Sequence, residues 1–300
     1  MSPRSRKQAT SDAQRTPDWS SRPIAREDFI ALVRQEGLVR YRDLPWRNID
    51  DPYAVLVSEV MLQQTQVARV LRYWSRWMAL FPTVDSLASA DTATVLEMWQ
   101  GLGYNRRALG LKRACETCSR EREGLLPRTE DELCALPGIG PATAAGVRAF
   151  AYNLPATYIE TNVRSVFLHE LFPDCDGVSD KQISPYVKDT CPQEDPRAWY
   201  YALLDYGAHL KTQIANPSRR SKHYARQGKF EGSHREKRSF ILKQVLASPE
   251  GLSCETLEQS LDVYEREAGR GGADHALCES IIAELLSEGF FRQEGDLLIP

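Results

Sequence analysis

From Asp51 onward, apolar side chains recur at three- and four-residue steps: Val55, Val57, Val60, Met61, Leu62, Val67, Val70, Leu71 and Trp74. A period of that kind is an α-helix with one buried stripe. The same spacing predicts helices over 85–90, 92–100, 105–122, 129–135, 141–152, 161–172, 180–191 and 195–209. Pro82, Gly103, Gly124, Pro127, Pro137, Pro155, Pro173 and Pro192 stand between them as breakers. Period-two alternation is nearly absent until the C-terminus, so a compact all-α body is predicted over residues 25–210.

The segments on either side read differently. Residues 1–24 are polar, basic and rich in Ser and Pro, which predicts a disordered basic arm. Residues 211–233 read as a basic linker broken by Asn216-Pro217-Ser218, Gly228 and Gly232. In 234–300, helical spacing returns at 234–247, 254–265 and 274–288. The chain ends in two short apolar runs around Glu294-Gly295-Asp296, as in a tight hairpin. Three helices and such a wing outline a small winged-helix-like (α+β) domain. Its last helix, SIIAELLSEG, offers no cation to a phosphate.

Composition adds exclusions. With 300 residues, 42% of them hydrophobic, the chain can bury a sizeable core. No apolar run approaches the ~20 residues that cross a bilayer, and no apolar stretch marks a signal peptide at the start. A cytoplasmic protein is expected, nucleoid-associated if prokaryotic, with no membrane partner. Seven scattered cysteines read as thiols, and the single CxxC of Cys115 and Cys118 lacks the second pair or the histidines that a metal site needs. Net charge is −3, yet ten Lys or Arg face two acids between Lys211 and Lys243. A charge run usually marks a solvated face. Interrupted by Gly and Pro, this one reads as a mobile loop in which Lys211, Arg219, Arg220 and Lys222 track phosphates.

Two segments carry candidate chemistry. In Leu136-Pro137-Gly138-Ile139-Gly140-Pro141, glycines one residue apart lie between two predicted helices. Gly138 and Gly140 permit close backbone approach, so that N–H groups at a helix start face a phosphate. A helix-helix turn with glycine caps would use the same GIG. The longer LPGIGPATA, with Pro141 at a first helical position and Thr143 beside it, favours phosphate binding. The second segment is LPWR at 44–47 followed by DPYAVLVSEVMLQQTQVARV at 51–70. Glu59 stands inside an apolar helix: facing a pocket it would donate a proton near neutral pH, and facing solvent it would do nothing. Gln63 and Gln64 one turn later are amides suited to base edges or to a gap left by a displaced base.

Taken together, LPWR, DPY, SEVMLQQTQV, FPTVDSLA, WQGLGY, LPGIGPATA and NVRSVF resemble, in order over residues 26–210, the MutY-type adenine DNA glycosylases of the endonuclease III superfamily. The resemblance implies a two-lobed, all-α helix-hairpin-helix body that flips a base from duplex DNA into a cleft. It puts Glu59 on the general acid that protonates the purine. Trp46, Arg47, Leu62 and Asp205 fall around the extruded base, Gln63 and Gln64 on the polar wedge, and Tyr104 on the tyrosine after GLG. Asn162 matches the asparagine beside the second carboxylate, which is an aspartate in the family and is Glu160 here.

Three further departures follow from the same likeness. The family's first iron–sulfur cysteine aligns with Lys211, and no cysteine follows until Cys254, so no cluster is expected. Residues 234–300 do not resemble the family's module for reading 8-oxoguanine. The lysine that cleaves strands in bifunctional relatives aligns with Ala142, which implies base removal without lyase chemistry. The expected function is therefore a monofunctional, cofactor-free DNA N-glycosylase of base excision repair. Its expected partner is double-stranded DNA with a mispair or damaged base, above all adenine opposite 8-oxoguanine or guanine. Hypoxanthine or uracil as target, an inactive lesion-binding protein, and a C-terminal domain that docks a protein partner are the alternatives.

Overall fold

The computed structural model describes residues 16–222, 224–225 and 228–300. Residues 1–15 of the expected arm and Arg226 of the basic run lie outside them. The chain divides into two compact units: residues 1–43 with 148–224, and residues 44–147 with 225–300. Among the described residues no helix is long and apolar enough to cross a membrane.

The first unit is built on α1 (Arg26–Arg40), α9 (Thr161–Leu171), α10 (Asp180–Thr190) and α11 (Pro196–Gln213). Phe29, Phe167 and Trp199 meet at its centre, with ring centroids 5.0 and 6.4 Å from Phe29. Close helix contact needs glycine here. A Cβ on Gly207 would come within 2.2 Å of the Asn162 carbonyl oxygen, so α11 and the start of α9 touch backbone to backbone. Residues 17–24, expected in a disordered arm, instead pack on this unit through a turn at Ser20 and Ser21. The Trp19 indole donates to Asp189 at 3.0 Å and packs edge-on to Tyr186, because one large aromatic finds an apolar seat that composition alone does not reveal.

The second unit holds α2 (Pro52–Leu62), α3 (Val67–Leu80), α4 (Val84–Ser89), α5 (Thr92–Trp99), α6 (Arg106–Arg122), α7 (Glu130–Cys134) and the start of α8 (Pro141–Phe150). It is completed by α12 (His234–Leu246), α13 (Cys254–Glu267) and α14 (His275–Glu288). Strands β1 (Leu252–Ser253), β2 (Arg292–Glu294) and β3 (Leu297–Ile299) form an antiparallel sheet in the order β1-β3-β2. The two expected C-terminal strands are present, and β1 is new: two residues are too few to show alternation. The apolar stripe from Val55 to Trp74 is not one helix. It breaks at Gln63, and Gln64 adopts φ 54°, because spacing across a short turn can keep helical phase while the backbone does not.

Candidate functional site

In the second unit, Asp51 caps α2 by accepting from the Tyr53 N–H at 2.9 Å, and Pro52 takes the first helical position, where its missing N–H costs nothing. Of the eleven residues that follow, Tyr53 through Val57, Ser58, Val60 and Met61 are buried. Glu59 is the one charged side chain on α2 and is half-buried at its third turn. Trp46 and Arg47 are buried before it, the Trp46 ring packing edge-on to Trp74 at 6.1 Å. Leu62 and Gln63 are half-buried at its end, and Gln64 is exposed.

The hairpin is pegged by Leu136 and Ile139, both buried, while Gly138 and Gly140 face outward. Gly138 has φ 75°, and a Cβ there would stand 2.9 Å from the Gly110 Cα, so any side chain would push the turn off α6. Pro141 opens α8 with the helix's first N–H groups at the exposed glycine turn. Thr143, expected to meet DNA, is buried instead, because its hydroxyl accepts from Gln63 Nε2 at 2.9 Å. It ties the end of α2 to the hairpin.

Arg107 makes the other tie. Its guanidinium donates to the carbonyls of Val60 (2.9 Å), Met61 (3.0 Å) and Gln63 (2.6 Å), and to those of Leu102 (3.1 Å) and Gly103 (2.8 Å). Burial pushes it down to about 10. The residue satisfies the last carbonyls of α2 and locks them to the loop that presents Tyr104, itself exposed at φ 49°. Sequence reasoning missed Arg107. The available signal was a pair of arginines opening α6, where the helix dipole disfavours positive charge.

In the first unit, Glu160 is the N-cap of α9: its carboxylate accepts from the Asn162 N–H and, at 3.0 Å, from the Val163 N–H. The preceding loop is fixed by an aromatic group in which Phe150, Tyr158 and Tyr200 pack edge-on. The resemblance places the Asn162 side chain beside this carboxylate as the group that would orient it. Its backbone does so instead, since the Asn162 amide oxygen accepts from Lys211 Nζ at 2.7 Å. Glu160 keeps some accessible surface but is crowded on all sides, so desolvation raises its carboxyl above the usual range. The two N–H groups, Lys211 and Arg164 oppose that shift. Burial in turn lowers the Lys211 ammonium, with Glu160 working against it.

Lys211 and Arg220 are therefore engaged within the protein. Arg220 donates to the carbonyls of Leu168 (2.9 Å) and Phe172 (2.6 Å), and the buried Ser218 donates to Thr161 O at 2.8 Å. These bonds fasten the 3-10 turn Pro217–Arg220 to α9, so this part of the linker is anchored where glycine and proline content had suggested mobility. Arg219 and Lys222 remain exposed. Asp205 is buried and receives Arg42 through both its backbone N–H (3.1 Å) and its guanidinium.

An iron–sulfur cluster does not fit the residues present. The position aligned with the relatives' first ligand is Lys211, already bonded to Asn162, and between Asp180 and Lys222 the sole cysteine is the buried Cys191. Cys115 and Cys118 are buried in α6, and burial raises both thiols.

Comparison with known proteins bears on this geometry. Residues 57–192 match the family described as "HhH-GPD superfamily base excision DNA repair protein". The adenine DNA glycosylase of Mycolicibacterium smegmatis is 38% identical over 173 residues, which are 57% of this chain and 59% of that protein. The adenine DNA glycosylase of Mycobacterium tuberculosis is 44% identical over 127 residues, 42% of each chain. The chain spans about half the length of the curated relatives it matches. A solved thermostable thymine-DNA glycosylase aligns with TM-score 0.55 at 22% identity, covering 61% of this chain and 86% of that one, a likeness of fold.

Proposed function

We propose that the protein, whose residues 57–192 match the HhH-GPD superfamily of base excision DNA repair proteins, is a DNA N-glycosylase that removes adenine from a mispair with 8-oxoguanine or guanine. The observation that carries the reading is the Gln63 to Thr143 hydrogen bond at 2.9 Å. It joins the helix whose one charged side chain is the half-buried Glu59 to a glycine turn with exposed N–H groups. An acid and a phosphate grip held by one contact are what base removal from duplex DNA requires.

In this mechanism Glu59 gives its proton to the departing purine while the N-glycosidic bond breaks toward the base. Glu160, as carboxylate, stabilises the cationic sugar, and water then adds its hydroxide to C1′ and releases a proton. Ala142 offers no amine for a Schiff base, so no strand cleavage accompanies base loss. The protein works without a metal cluster. Single-turnover release from a panel of mispairs tests the proposal: abasic product is expected from adenine opposite 8-oxoguanine or guanine, and no product from any duplex would sink it. One observation favours a second reading, binding without turnover: Glu160 spends an oxygen on capping α9. Tight mispair binding with no product would select that reading.

The electrostatics of Glu160 give a pH prediction. Glu160 must be ionised to act, and burial lifts its carboxyl above the ordinary value, so the acid limb of the rate lies above that of a free glutamate. The cations facing it are Lys211 on α11 and Arg164 on α9, the latter paired with Asp180 of α10. Removing Lys211 deprives the carboxylate of a cation. Lys211→Met is therefore expected to move the acid limb to higher pH and to leave the maximal rate largely in place. A pH profile of single-turnover rates that matches the native one would refute the role given to Lys211.

A further inference from the structure

Printed side by side in the sequence, the cations of α12 look alike; in the structure all but one of those at its start are neutralised. His234 meets Glu284 at 3.0 Å, Lys237 meets Glu265, and Arg238 bridges Glu284 and Glu288. Nearby, Arg270 is held by Glu265 at 2.9 Å and Glu236 at 3.2 Å, and Arg106 of α6 by Glu288. Arg235 differs. Among the described residues it meets no carboxylate. It donates to the Tyr104 hydroxyl at 2.9 Å and to the Gly228 carbonyl at 3.0 Å, and its guanidinium lies 5.8 Å from the Tyr104 ring centroid.

The Tyr104 ring thus has two guanidinium groups near it, Arg235 and Arg107, the latter 5.7 Å from its centroid. Two like charges held near one exposed ring, with neutral acceptors only, repel each other and favour an anion. The contacts also form an unbroken chain. From the hairpin, Thr143 holds Gln63, the Gln63 carbonyl accepts from Arg107, Arg107 grips the loop before Tyr104, and Tyr104 accepts from Arg235. The exposed Lys229 and Phe230 follow Gly228.

The 234–300 segment is seated so that this chain is stable. The Arg113 guanidinium donates to the Glu288 carbonyl at 2.7 Å, and Arg106 and Arg238 share the Glu288 carboxylate. Glu284 and Glu288 of α14 are turned to these cations, whereas Arg235 at the start of α12 meets no carboxylate among the described residues.

We propose that Arg235 takes a backbone phosphate beside Tyr104, making the C-terminal segment a continuation of the DNA-binding surface that begins at the hairpin. The inference rests on the DNA glycosylase reading. Arg is suited to the role because its planar fork can keep Tyr104 and Gly228 while offering further N–H groups to an anion.

The test uses the full chain and a short duplex carrying a tetrahydrofuran abasic site opposite guanine, with affinity measured across a salt series. Loss of one phosphate contact makes the slope of log K against log salt shallower by about 0.9 and weakens binding about fivefold at physiological salt. Arg235→Ala is expected to show both changes, and Arg235→Lys, which keeps the charge without the fork, is expected to retain most of the native slope. A native slope and affinity in Arg235→Ala would overturn the proposal. So would an Arg235→Lys variant as shallow as Ala, since the residue would then act only by bracing Tyr104. If the native chain binds no duplex and releases no base, the glycosylase reading itself falls. If it does both while Arg235→Ala is unchanged, this inference alone falls.

Discussion

Glu59→Gln is expected to lower single-turnover release of adenine by about 100- to 10,000-fold, the range that a positioned general acid supplies. Adenine is a poor leaving group while it is anionic, and protonation as the bond breaks is what the proposed mechanism asks of Glu59. The amide keeps volume and polarity but has no acidic proton to give. Its neighbours Ser58 and Val60 are buried and glutamine is nearly the shape of glutamate, so the fold of α2 is expected to persist. Duplex affinity is therefore expected to stay within a few fold of native. A variant that releases base at the native rate would show that the proton comes from elsewhere.

Glu160→Gln is expected to lower the rate by about 100- to 1,000-fold, as loss of one preorganised electrostatic contact does, and to leave thermal stability equal or higher. Both effects follow from the same geometry. The Gln carbonyl can still accept from the Asn162 and Val163 N–H groups, so the cap on α9 survives. The surroundings as a whole disfavour the charge on Glu160, with burial the leading cause, and the neutral amide removes that cost. Glu160→Ala loses charge and cap together and should also cost about 1 kcal/mol of stability. Glu160→Asp isolates the methylene that separates this chain from its relatives. Retracting the carboxylate by about 1 Å, in a loop fixed by Tyr158 and Tyr200, is expected to cost on the order of 100-fold. Thermal melts beside single-turnover rates distinguish these cases, and unchanged activity in Glu160→Gln would remove the residue from the mechanism.

Much of this was legible in residue order. The Leu136–Thr143 turn declares itself because glycine is required where a backbone crosses close to another, and Gly138 against Gly110 is such a place. Glu59 stands out as one acid in an apolar period. The elements that failed are those whose partner lies far along the chain. The break at Gln64 keeps the apolar phase, so periodicity passes over it. Arg107 looked like one of many surface arginines until the α2 carbonyls were found to converge on it.

Residue order alone thus sets local features: the helices, the glycine turn, the acid at 59 and the carboxylate at 160, each governed by backbone propensity and nearest neighbours. Which cations are available depends on packing between distant segments. Lys211 and Arg220 read as phosphate contacts in a basic run, yet one holds Asn162 and the other the end of α9. Arg235, indistinguishable from its neighbours in that run, is the one that α12 leaves beside Tyr104 without a carboxylate among the described residues. The physical reason is that charge is written in the sequence, whereas its neutralisation depends on carboxylates and carbonyls brought within about 3 Å by folding.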